Sequence, residues 1–169
     1  ALGDLMVTQG RYRAASDAYW DVERLDPEAV GPATMGKLAL YQGGLAMKTG
    51  ERSLGLSLLE RAVGYLEGTG ASEELARAYK ELADAFMAED IERARQYCDL
   101  ALGNLSEQAP QRETAALHLL SGELAGMSGD YDAALDDVRT AVQLYSAAGA
   151  AHEELAALES RGRLVAVER

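Results

Sequence analysis

The stretch SGELAGMSGDYDAALDDVRTAV, residues 121–142, occurs three more times in this chain in altered form. Its counterparts are LGDLMVTQGRYRAASDAYWDVERLDP from Leu2, QGGLAMKTGERSLGLSLLERAV from Gln42 and LADAFMAEDIERARQYCDLAL from Leu82. Each carries an early small residue, Gly3, Gly43, Ala83 or Gly122, and these markers stand 40, 40 and 39 residues apart. A fifth, Gly162, follows 40 residues after Gly122. A second small residue comes at Ala15, Gly55, Ala94 and Ala134, and Val22, Ala62, Ala101 and Ala141 follow seven residues later. Repetition at one fixed period, with apolar residues every three or four positions between the markers, indicates stacked helical units.

The local chemistry makes each unit a helical hairpin. A glycine inside a helix costs about 1 kcal/mol relative to alanine, so glycines held at one phase imply that packing requires them. The small residue of the first helix is expected to face the small residue of the second, letting the backbones approach closely. Gly10, Gly50 and Gly129 end their first helices, where the left-handed conformation is easy for glycine. The third unit turns instead through Glu89-Asp90, one residue sooner, which accounts for its 39-residue spacing. Helices are predicted near 1–9, 11–25, 32–49, 51–67, 72–88, 91–105, 110–128, 130–147 and 151–167. Pro32 and Pro110 are expected in helical first turns, where no backbone N–H is missed.

These residues resemble the tetratricopeptide repeat. The first unit matches through Leu2-Gly3, Tyr12, Ala15, Tyr19 and Asp26-Pro27, and the fourth through Gly122, Gly129-Asp130-Tyr131, Ala133-Ala134 and Ala141. The second and third units are looser, with Arg52 where tyrosine is usual and Ala83 where glycine is usual. The resemblance implies an all-α fold, a right-handed α-solenoid of four hairpins plus a C-terminal capping helix. The chain is expected to form a single domain with repeats near 1–31, 32–70, 71–108 and 109–149 and a closing helix over 150–169. It starts inside a helix without Met and reads as a fragment of a longer protein.

Composition narrows the function. Of 169 residues, 28 are acidic and 16 basic, a formal charge of −12. Such a surface repels phosphate backbones and anionic lipid, so neither nucleic acid nor membrane is an expected partner. The single cysteine, Cys98, excludes an internal disulfide framework and a cysteine-rich zinc site, and it suits a reducing cytoplasm. No apolar run approaches the ~20 residues of a membrane span.

Catalytic groups are sparse. His118 and His152 lack metal-ligand spacing, and no phosphate-binding loop motif occurs, so no cofactor, metal or enzymatic activity is expected. Cys98 shares the phase of Tyr19, Leu59 and Val138 and is expected in the core. Glu73-Glu74, Asp136-Asp137 and Glu153-Glu154 read as solvated faces and helix starts, and the Gly43-Gly44 pair as helix packing.

The resemblance further implies that first helices line a concave face where ligands lie. Helical phase, set by the packing glycines, assigns to it Asp4, Val7 and Thr8, then Lys37, Leu40, Gly44, Met47 and Lys48. Arg77, Lys80, Asp84 and Met87 follow from the third unit, and Leu119, Glu123 and Met127 from the fourth. Four cations and three adaptable methionines point to a protein or peptide ligand bearing an acidic group or C-terminal carboxylate. Asp4, Gly44 and Asp84 stand where chaperone-tail-binding relatives use asparagine, a departure from that specificity. The long repeat, with the stretches around residues 65–86 and 144–164, resembles sensor domains of bacterial helix-turn-helix transcription regulators. The alternative is a non-switching scaffold that holds partners, or further copies of itself, in an assembly.

Overall fold

The computed structural model describes Asp21 and residues 31–167. Seven helices occupy the latter span: α1 (Pro32–Thr49), α2 (Arg52–Leu66), α3 (Ser72–Phe86), α4 (Ile91–Asn104), α5 (Gln111–Met127), α6 (Tyr131–Ala147) and α7 (Ala151–Val167). The described residues contain no strand, and none of these helices is long and apolar enough to cross a membrane. All seven lie within about two residues of the sequence expectation; the helices expected near 1–9 and 11–25 fall outside the described residues, as does Gly10. The chain divides into two compact units, Ala1–Leu82 and Ala83–Arg169.

The ends of the helices follow from local chemistry. Pro32 occupies the first turn of α1, as expected. Pro110 instead stands just before α5, its carbonyl accepting from the Glu113 and Thr114 amides at 2.9 and 3.1 Å. Asp90 and Asp130 cap α4 and α6 by accepting from the backbone N–H groups of Arg93 and Ala133. Gly50 and Gly129 take φ of 85° and 83°, the left-handed conformation anticipated for them. After each, the next amide reaches back five residues: Glu51 to the Ala46 carbonyl at 2.9 Å, and Asp130 to Ala125 at 3.0 Å. The glycine-free turn differs by one residue. There the Asp90 amide reaches back only four, to Phe86 at 2.8 Å, and this tighter turn produces the 39-residue spacing.

In unit 1, α1 and α2 form an antiparallel hairpin whose backbones nearly touch. A methyl group on Gly43 would lie 2.8 Å from Leu59 Cγ and 3.2 Å from the Gly55 carbonyl oxygen. One on Gly55 would meet Met47 Sδ at 2.5 Å and the Gly43 carbonyl at 3.2 Å. Two turns earlier on α1, Gly36 is pressed against Leu66, so contact extends along the hairpin. Leu58, Leu59, Ala62 and Leu66 are buried on α2.

Unit 2 repeats the arrangement with α5 and α6. A methyl on Gly122 would stand 2.7 Å from Val138 Cγ2 and 2.9 Å from the Ala134 carbonyl oxygen. Ala115, Ala141, Tyr145 and Ala157 form a buried cluster that joins α5, α6 and α7. Helix α7 packs on α6 and α5, with Leu164 set against Gly126. Its own marker, Gly162, has nothing within 4 Å of a would-be methyl and does not pack like its counterparts. Gly44 is likewise open on that side, so the Gly43-Gly44 pair owes only Gly43 to helix packing. Cys98, Leu59 and Val138 are all buried, in agreement with their shared phase.

Because the obstacle at Gly43 and Gly122 includes backbone, a bulky side chain cannot be absorbed by a rotamer change. Gly43→Leu and Gly122→Leu should each lower unfolding stability by about 1–3 kcal/mol. Urea titration followed by circular dichroism measures this, and unaltered midpoints would refute the close approach.

Candidate protein-interaction surface

Within unit 1 the inward-face candidates on α1 and α3 separate into two groups. Lys37 donates to Glu74 Oε1 at 2.5 Å, tying α1 to the start of α3. The hydrogen bond and charge of Glu74 raise the Lys37 ammonium above its ordinary value. Burial pushes the Glu74 carboxyl up, but the Lys37 hydrogen bond, a backbone hydrogen bond and the charges of Lys37 and Arg77 outweigh it and hold the group below the usual range. Arg77 thus acts on the same ion pair, and Lys80 follows three residues later on a neighbouring part of the α3 surface. Both are partly exposed, and Lys48 is exposed near the end of α1. Lys37, Arg77 and Lys80 accordingly give unit 1 a cluster of cations on the α1 and α3 surface near Glu74.

The apolar candidates of unit 1 behave differently. Leu40 is 3% exposed and belongs to the core rather than to an open face. An apolar side chain on a helix with neighbours is favoured where it leaves water, and Leu40 does so. Met47 is partly exposed, yet its thioether fills the space over Gly55, so its first role is within the hairpin. Asp4, Val7 and Thr8 lie outside the described residues.

In unit 2, Asp84 is exposed and Met87 half-buried. Leu119 packs against the Ala115–Ala141–Tyr145–Ala157 cluster and is only partly accessible. Glu123 accepts from Ser160 Oγ at 3.5 Å and stands 4.0 Å from Arg163, which turns it toward α7. Met127 is 51% exposed, unlike the other two methionines. It stands five residues after Gly122, whereas Met47 and Met87 stand four after Gly43 and Ala83; that one-residue difference rotates it by about 100°.

Asp137, expected on a solvated face, instead joins a polar cluster between α5 and α6. Asp137 accepts from Ser121 Oγ at 2.6 Å and pairs with His118 Nδ1 at 2.8 Å. Burial raises the Asp137 carboxyl, but hydrogen bonds from His118 and Ser121 and the charge of His118 bring it below its ordinary value. Serine, histidine and aspartate here form no activated nucleophile, because Ser121 donates to the carboxylate and not toward the imidazole. The arrangement clasps the hairpin. Its neighbour Asp136 does face solvent, paired with Arg139 one turn on. Of the other acidic pairs, Glu153 is tied to Arg112 and Glu74 to Lys37. The signal was readable: Gly122 opposite Ala134 in an antiparallel hairpin brings Ser121 and Asp137 together. Beside this cluster a pocket of about 130 Å³ is lined by Arg95, Cys98, Asp99, Ser121 and Asp137 among others.

No family model matches the sequence, and neither does any curated protein. Solved structures match by fold. BtubC (BKLC) from P. vanneervenii aligns at 20% identity with a TM-score of 0.68, covering 99% of this chain and 78% of that one. MamA aligns at 22% identity and 0.59, over 99% and 95%. The nearly identical TPR-like repeats of a Podosopora anserina kinesin light chain align at 18% and 0.64, over 96% and 84%. At these identities what is shared is the fold.

The lowered carboxyl of Asp137 sets a pH dependence. Its contribution is fully present above the unfolded carboxyl value of about 3.9 and is lost as pH falls through the lower folded value. Asp137→Asn should cost about 1–2 kcal/mol at pH 6, and the gap from the parent protein should close below about pH 4. Urea midpoints measured between pH 6 and 3 test it; a gap that stays constant to pH 3 contradicts the clasp.

Proposed function

We propose that this chain, which has the tetratricopeptide-repeat fold, binds other proteins or peptides along the first helices of its hairpins. The observation that carries this reading is the cationic surface of unit 1 in a chain of net charge −12. Lys37 and Arg77 stand six residues before Gly43 and Ala83, the same register on successive first helices, and Lys80 follows. An incoming carboxylate can take the place of Glu74 on Lys37 while Arg77 offers a two-pronged donor. The expected ligand is therefore a peptide with an acidic group or a C-terminal carboxylate, with Lys48 extending the surface and Met47 adapting to apolar side chains. Unit 2 by itself offers a more acidic, thioether-bearing surface through Asp84, Met87, Glu123 and Met127.

The 40-residue spacing supports a finer reading, the ligand-sensing part of a bacterial helix-turn-helix transcription regulator in the cytoplasm. Such a sensor must hold its ligand with different affinity in two conformations. The same fold serves equally as a non-switching scaffold for assembly or self-association, since fold alone does not select between them. A gel-shift experiment on the protein encoded by the whole reading frame, with and without peptide, separates these two readings.

The binding surface itself is tested with a fluorescent glutamate-rich peptide carrying a C-terminal carboxylate, and with its amidated counterpart. The carboxylate form should bind more tightly, and Arg77→Glu combined with Lys80→Glu should weaken it by at least ~100-fold, about 3 kcal/mol, with little change in melting temperature. Undiminished binding by the double variant, measured by anisotropy, would remove the cationic surface from the proposal.

A further inference from the structure

The pocket beside the Asp137 clasp is lined from α4, α5 and α6. Counting from the markers, Ala125 of α5 corresponds to Phe86 of α3, each three residues after its small residue, Gly122 or Ala83. Ala133 and Asp137 of α6 correspond to Arg93 and Tyr97 of α4, one before and three after Ala134 or Ala94. In the earlier repeat this trio forms a stack. The Phe86 and Tyr97 ring centroids lie 5.8 Å apart with 27° between the planes. The Arg93 guanidinium sits 4.0 Å over Phe86 and 5.6 Å over Tyr97, and it donates to Tyr97 Oη at 3.3 Å. In the later repeat two rings and a guanidinium give way to two methyl groups and a carboxylate. All three shortened side chains line the pocket of about 130 Å³.

The groups that remain select what can enter. Cys98 and Leu124 are buried and give the pocket an apolar base. Asp137 accepts from His118 on Oδ1 and from Ser121 on Oδ2, and each carboxylate oxygen can accept a second bond. Arg95 lines the pocket from α4 and is partly exposed, so its guanidinium can cover a ring face as Arg93 covers Phe86. Asp99, one turn along α4 from Arg95, adds a second carboxylate to the lining. An anionic ligand would face two carboxylates, and an ammonium or guanidinium would face Arg95. A neutral aromatic ring with one hydrogen-bond donor meets neither repulsion.

We propose that this pocket binds a phenolic ring, its face against Arg95 and its hydroxyl donating to Asp137. The ring replaces the bulk that Phe86 and Tyr97 supply one repeat earlier. A phenol, with a pKa of about 10, keeps its proton at neutral pH and so remains a donor to the carboxylate. None of the unit 1 cations lines this pocket, so it is a site additional to the peptide surface of α1 and α3.

The probe is p-cresol, titrated into the protein encoded by the whole reading frame and followed by ligand-observed NMR. Saturable binding is expected. Ala133→Arg, at an exposed position, puts a guanidinium one turn from Asp137 and over the pocket. It should weaken p-cresol binding by at least ~10-fold and leave the melting temperature unchanged. Arg95→Ala removes the cover from the ring and should weaken binding by about 3–10-fold. Toluene, which has the ring without the donor, should bind about 10-fold more weakly than p-cresol. N-acetyltyrosinamide then identifies the source of the phenol. Binding as tight as that of p-cresol assigns the pocket to a tyrosine side chain of a polypeptide, and exclusion assigns it to a free phenol. Absent p-cresol binding, binding indifferent to Ala133→Arg, or toluene binding as tightly as p-cresol overturns the proposal.

Discussion

Two backbones lie close enough, at Gly43 with Gly55 and at Gly122 with Ala134, that even a methyl group on any of these three glycines would collide with the facing helix or with Met47. The remaining features of each hairpin are arranged around that approach. It determines which residue of one helix faces which of the next, so it brings Ser121 opposite Asp137 and sets Leu59 and Val138 into the core. It also explains why helix-weakening glycines persist in α1 and α5: the local loss of about 1 kcal/mol is offset by contact along the whole hairpin. Where the turn between helices loses its glycine, as at Glu89-Asp90, the period shortens by one residue, and the corresponding small residues Ala83 and Ala94 are both fully buried.

A first helix in such a repeat has several obligations at once. One side meets its own second helix, another the preceding hairpin, and what is left over can meet a ligand. In α1 the two buried sides consume Leu38, Leu40, Gly43 and Leu45, and the remaining surface carries Lys37 and Lys48. In α7, Leu155 and Val165 are among the few large apolar side chains exposed among the described residues.

Helix positions were legible in the sequence because their causes are local. Period, proline placement and turn glycines located all seven described helices, and the early turn at Glu89-Asp90 was readable from its missing glycine. The residues expected on the inward face differ in their exposure. Lys37, Lys48, Arg77 and Lys80 are accessible to some degree, as long cationic side chains tend to be. The apolar choices fared worse, since Leu40 is buried, Leu119 joins a core cluster and Met127 is a residue out of phase with Met47 and Met87. A helical wheel gives direction around one axis but not the number of neighbours, and a residue at the border between two faces goes wherever a partner removes it from water.

The sequence by itself determined the helical class, the hairpin period, the left-handed turns at Gly50 and Gly129 and the burial of Cys98. Each of these rests on a residue's own conformational preference or on a repeat written into the chain. Only the tertiary structure decided that Glu74 pairs with Lys37, that Asp137 clasps His118 and Ser121, and that Gly162 faces open space while Gly43 and Gly122 do not. Those outcomes depend on which surfaces approach across distances of 16 residues or more in the chain, as between Ser121 and Asp137. Two identical glycines at the same phase of two helices differ in nothing but the presence of a neighbour, and a neighbour is a property of the fold.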